Sequence, residues 1–106
     1  MQPIRKIRIT PRAREDLRNI GRYTEQTSGK AQRNRYLKSI EARFQWLAKN
    51  PLLGKHRTDI CEGYHSFPEG EHVVFYLFDS GNLDVIGIPH TEMATISYFV
   101  DSDELR

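Results

Sequence analysis

Cysteine is nearly absent: Cys61 is alone among 106 residues. No internal disulfide can form, which suits a reducing cytosol, and a lone thiol reads more naturally as inert than as a nucleophile. Long apolar runs are missing too. The longest covers residues 73–78, far short of the roughly 20 residues a membrane-crossing helix needs. The opening MQPIRKIRIT lacks the apolar stretch of an export signal. These absences lead us to expect a soluble, cytoplasmic chain forming one domain over residues 1–106, large enough to bury a core without disulfides or metal. Neither a Gly-rich phosphate loop nor a Ser-His-Asp arrangement is identifiable. The four histidines, His56, His65, His72 and His90, have no pair at helical or hairpin ligand spacing, so no metal and no cofactor is expected.

Positive charge is abundant but confined. Residues 1–57 hold fifteen Lys/Arg against four acids, a net of +11; residues 58–106 hold only Arg106 against ten acids, a net of −9. Such a partition gives a folded domain a strong dipole and one basic flank. Read blandly, it is a pair of well-solvated helices; read sharply, it is a docking face for an acidic partner.

Ile7 and Ile9 alternate with Arg8 and Thr10, the period-2 pattern of a half-buried first strand that begins near Ile4. Thr10-Pro11 reads as a helix start, with Thr10 as cap and Pro11 at the first helical position. Ala13, Leu17, Ile20 and Thr24 then share a face, while Arg12, Arg14, Arg18 and Arg22 mostly lie outside it. Ser28-Gly29 supplies a stop. A second amphipathic helix runs from about Lys30 to Lys49 on Arg33, Tyr36, Leu37, Ile40, Phe44, Leu47 and Ala48. The short connection folds the two helices into an antiparallel hairpin. Trp46 lies off the main stripe, either packed against the first helix or exposed as an anchor.

Asn50-Pro51 ends the helix. Tyr64 to Phe67 read as a short strand, Pro68-Glu69-Gly70 as a tight turn, and His72 to Phe78 as a strand apolar on both faces. Asp79-Ser80-Gly81-Asn82 has hairpin chemistry. Leu83 to Ile88 return as a last strand, in which Gly87 marks a bulge or a close approach. Residues 92–100 are ambiguous between strand and a short C-terminal helix, and the acidic DSDELR end is expected to fray. The order β-α-α-β-β-β predicts an α+β, two-layer fold with the helix hairpin on one face of an antiparallel sheet. The second sheet face then needs the C-terminal segment or a bound protein to cover it.

Two patterns, N-P-L-L-G-K followed by S-F-P-x-G-x-H-V-V-F-Y and the helix opening Pro11-x-Ala13-x-x-Asp16-Leu17-x-x-Ile20-x-x-Tyr23, resemble the ParE branch of the RelE/ParE toxin family. His90 also sits where many such chains carry a histidine. The resemblance implies a sheet order of 1-4-3-2. It also implies a toxin of a type II toxin–antitoxin pair that does no chemistry of its own, but binds DNA gyrase and traps it with its DNA cut. A ParD-like or similar antitoxin with a flexible tail would neutralise it, and operator DNA would be met only through that antitoxin. On this basis Arg14, Arg18, Arg22, Tyr23, Arg33, Tyr36 and Trp46 are candidate antitoxin contacts, with Arg35 and Arg43 adding charge. Lys55, His56, Arg57, His90, Met93, Tyr98 and Phe99 are candidate target contacts.

The alternative is a ribosome-dependent mRNA endonuclease of the RelE type. That chemistry needs a base, an acid and cations for phosphate charge, and Lys49, Lys55, His56, Arg57, His65, His72, His90 and Tyr98 could contribute. The family's nucleases typically carry arginines on the middle and last strands, where this chain has none. No catalytic residue is therefore assigned.

Overall fold

The computed structural model describes residues 5–94 and 96–100, with Val100 as backbone only. Ile4 and the acidic end expected to fray lie outside the described residues. Strand β1 is Lys6–Ile9, and helix α1 spans Pro11–Lys49. Thr10 caps α1 by accepting from the Ala13 N–H at 3.2 Å. A straight helix of 39 residues would be about 58 Å long, yet the longest dimension is 38 Å. The reason is Gly29, which takes φ 88° and ψ 170° inside α1, a left-handed region where a Cβ would be strained. Arg33 therefore pairs with Glu25, and Leu37 lies against Gly21. The arms 11–28 and 30–49 form the expected hairpin.

Beyond it come β2 (Lys55–His56), β3 (His65–Glu69), β4 (His72–Phe78), β5 (Asn82–Gly87) and the short helix α2 (Ile96–Val100). The sheet order is β1-β5-β4-β3-β2. Two expectations need correcting. The sheet is mixed, because β1 pairs with β5 in parallel, and a fifth strand, β2, lies on the edge against β3. The parallel pairing follows from where the hairpin ends. Its second arm returns the chain to the end where β1 began, the Ala48 carbonyl accepting from Arg5 Nη1 at 3.1 Å. β3 therefore sets out in the direction of β1, and β5, two reversals later, arrives parallel to it.

The turn after β3 also differs. Pro68 stays inside the strand opposite Val73, and Gly70 and Glu71 turn the chain. Pro68 is tolerated because Val73 donates its N–H to the Pro89 carbonyl at 2.9 Å instead, so the ladder asks for no donor there.

The sheet separates two cores. Val74, Tyr76, Leu83 and Val85 pack beneath Ile40, Phe44 and Leu47 of the hairpin. On the far face Phe75 and Ile86 meet Ile60, Tyr64, Tyr98 and Phe99. The C-terminal segment thus covers the second face. Gly87 serves both roles foreseen for it: the register slips between Phe75 and Tyr76 opposite it, and a Cβ there would strike the Tyr98 ring. Trp46 packs on the sheet rather than on the first arm, with its ring 5.0 Å from Phe67 and Arg43 4.7 Å above both rings.

Candidate partner-binding surfaces

Arg14, Arg18 and Arg22 recur every four residues, so α1 stacks them on one side. They meet Arg33 of the second arm around a groove of about 880 Å³. Its floor is apolar: Ile7 and Ile9 of β1, Leu17, Leu37 and Phe44. Arg18 is tied to Glu15 at 2.6 Å and Arg33 to Glu25, whereas Arg14 and Arg22 have no ion pair among the described residues. One wall is the sheet's β1 edge, which pairs with no further strand among the described residues. Lys6 and Thr10 donate backward to Gly81, just before β5, and to Val85 of β5 at 2.9 and 3.1 Å. By alternation the N–H and C=O groups of Ile7 and Ile9 point out of the sheet. An apolar floor, an arginine rim and an unpaired strand edge suit an extended or helical segment carrying carboxylates and apolar side chains.

A second cleft of about 720 Å³ lies between the hairpin's tip and the segment around His90. Tyr36 is built into its wall. Its hydroxyl sits 2.6 Å from His72 Nδ1 and 3.1 Å from the Glu69 carbonyl, and it accepts from the Glu71 N–H at 3.1 Å. Burial raises its pKa. Burial, and then the neighbouring His90, hold the His72 imidazole below its ordinary range. The His72 and His90 rings meet edge to face at 5.5 Å. Asp16 accepts from the Tyr98 hydroxyl and from the Ile88 N–H, while Arg12 lies 4.0 Å over the Tyr98 ring. Tyr23 and Met93 stand exposed on the rim.

The third region is the β2 edge. His56 stacks on His65 at 4.7 Å and 11°. Arg57 instead forks onto Asp59 at 3.0 and 2.9 Å and lies 5.2 Å over Phe75 on the far face. The two therefore do not form an acid–base pair.

The candidate antitoxin contacts thus split three ways. Arg14, Arg18, Arg22 and Arg33 share the groove, Tyr23 and Tyr36 belong to the cleft, and Trp46 is committed to Phe67. The target candidates also divide. Lys55 and His56 are exposed on the edge, Arg57 is neutralised, and His90 and Met93 rim the cleft. Tyr98 and Phe99 belong to the second core, Phe99 wholly buried and Tyr98 reaching the wall of the cleft. What residue-type reasoning missed was the groove's floor and strand edge. Their signal is the Ile7/Ile9 alternation, which marks a strand without saying which element its apolar face will meet. The nuclease candidates are scattered over these regions. Among the described residues no group of three or more His, Cys, Asp or Glu is placed to hold a metal, and no helix is long and apolar enough to cross a membrane.

Residues 7–95 match the family described as the ParE toxin of the type II toxin–antitoxin system parDE. The chain is 31% identical over 86 residues to Toxin ParE1 of Caulobacter vibrioides, covering 81% of this chain and 88% of that one. Its fold is similar to a structure of the chromosomal ParDE system from P. aeruginosa, with a TM-score of 0.70 at 13% identity over 82% of this chain and 96% of the other. It is also similar to the RelBE2 toxin–antitoxin complex from Mycobacterium tuberculosis, with a TM-score of 0.64 at 24% identity over 85% and 93%.

Proposed function

The chain belongs to the ParE toxin family of type II toxin–antitoxin systems, and on that premise we propose that it arrests growth by binding DNA gyrase in the cytoplasm. It traps the enzyme with its DNA cut, and a small antitoxin silences it. The antitoxin lays an acidic, partly apolar segment in the arginine-rimmed groove, ordering as it binds, and adds a strand to the outer edge of β1. Arg14 and Arg22, the rim cations with no ion pair among the described residues, steer its approach.

One observation supports binding over RNA cleavage. Arg8 and Arg57 lie on the far sheet face, and each is forked onto an aspartate, Asp84 at 2.6 and 2.9 Å and Asp59 at 3.0 and 2.9 Å. Cations so compensated serve the fold rather than a developing phosphate charge. The test is gyrase with plasmid and ATP, quenched with detergent and protease. Added protein should raise the yield of cleaved plasmid. Intact plasmid alongside cut ribosome-bound mRNA would instead establish the endonuclease.

A further inference from the structure

Two leucines take no part in either core. Leu52 and Leu53 are 79% and 59% exposed in the tight turn Pro51–Leu53 that links α1 to β2, and neither lines the groove or the cleft. Yet the turn beneath them is firmly built. The Asn50 side-chain amide donates to the Trp46 carbonyl at 2.9 Å, and the Leu53 N–H donates to the Asn50 carbonyl at 3.2 Å. Pro51 is buried, and its carbonyl accepts from the buried Tyr76 hydroxyl at 2.6 Å. Two residues later the chain is caught again, as Lys55 pairs with Ser66. Along the chain the leucines are flanked by the exposed Lys49 and Lys55, and next to Lys55 the His56 ring lies 3.6 Å from Glu62. The result is an apolar knob, held from below and flanked by two lysines.

We propose that Leu52 and Leu53 are the anchor that seats this toxin on gyrase, entering an apolar slot rimmed by carboxylates. The proposal rests on the gyrase reading. A pre-ordered aliphatic pair loses little conformational freedom on docking, and charges flanking an apolar centre are how small interfaces gain both affinity and speed. Because the knob lies outside the groove, its role separates from antitoxin binding.

The test compares wild type, Leu52→Ser/Leu53→Ser and Leu52→Met/Leu53→Met in the plasmid cleavage assay and in binding to immobilised gyrase. The serine pair should keep its melting temperature and antitoxin affinity, since exposed substitutions barely move stability, yet bind gyrase roughly tenfold or more weakly. The methionine pair should retain binding. If wild type itself fails to raise cleaved plasmid, the gyrase reading falls. If wild type succeeds and the serine pair matches it, only the anchor falls. The anchor is equally overturned if the serine pair unfolds, if it loses self-association seen in wild type by light scattering, or if it loses binding to plasmid without gyrase.

Discussion

Over Val74 and Tyr76 the sheet is roofed by Ile40, Phe44 and Leu47 from one hairpin. Over Phe75 and Ile86 the roof is Tyr98 and Phe99 from a five-residue helix. The first roof is supported by its own sequence: a capped start, a helical stripe and a glycine reversal. The second is too short to be helical alone and depends on ties far along the chain. The Tyr98 hydroxyl reaches Asp16, 82 residues away, and Arg12 donates to the Tyr98 carbonyl at 2.9 Å. One face is thus covered by a structure that forms locally, the other by a segment that exists because the face is there. Such a segment is a natural unit of local opening.

The largest expected effect tests whether the short roof matters as much as the long one. Phe99→Ala should cost about 3–5 kcal/mol of stability, as Phe44→Ala should on the other face. Urea unfolding of the two variants measures this, and a Phe99→Ala cost below about 1 kcal/mol would make the C-terminal roof an optional cover.

Alkaline pH probes both faces together. Burial pushes the Tyr76 hydroxyl up to about 12 and raises Tyr98, with its bond to Asp16 adding to the shift. Unfolded tyrosine loses its proton near pH 10, while the folded protein still holds it. Stability should therefore be level below about pH 10 and fall above it, by at most about 1.4 kcal/mol per pH unit for each such tyrosine. Urea midpoints from pH 8 to 11 should show the decline, and Tyr98→Phe should flatten it. A midpoint independent of pH would mean these hydroxyls are not buried in solution.

At pH 7, Tyr98→Phe isolates one tie of the short roof. Asp16 keeps the Ile88 N–H at 2.8 Å, so the expected cost is about 1 kcal/mol. Amide exchange should quicken around residues 96–99 before it does in the hairpin; uniform quickening would show that the roof does not open separately. The smallest effect belongs to the groove. Arg22→Ala removes a rim cation that has no ion pair among the described residues and should change stability by less than about 0.5 kcal/mol, while slowing antitoxin association at low salt. Unchanged stopped-flow rates would take Arg22 out of the steering.

The hairpin was legible because its signals are local. Thr10, Pro11 and Gly29 act through their own backbone, and a helical stripe repeats every few residues. The long apolar strand was equally plain, but Val73, Phe75 and Leu77 look no different in sequence from Val74, Tyr76 and Phe78, so what covers each face could not be read. Tyr98 and Phe99 carry no mark of burial in the sequence, because the apolar face they cover is formed by strands far from them along the chain. Trp46, off the helical stripe, likewise gave no sign that Phe67 and Arg43 would enclose it. The arginine positions were visible, but not that Ile7 and Ile9 would lie beneath them as a floor.

By itself the sequence determined the start of the helix hairpin at Thr10-Pro11, its reversal at Gly29 and its stop at Asn50-Pro51, the long strand at residues 72–78 and the concentration of positive charge in the first half. It also carried the family. Those features depend on backbone preferences and short-range periodicity, which neighbouring residues set among themselves. Only the tertiary structure decided that β1 meets β5 in parallel, that a two-residue β2 closes the sheet's edge and that the C-terminal segment seals the far face. It likewise decided which arginines share a groove. Each of these results from contacts between distant residues, chosen by which surfaces remain to be buried once the local elements have formed, and a two-residue strand has no period to announce itself.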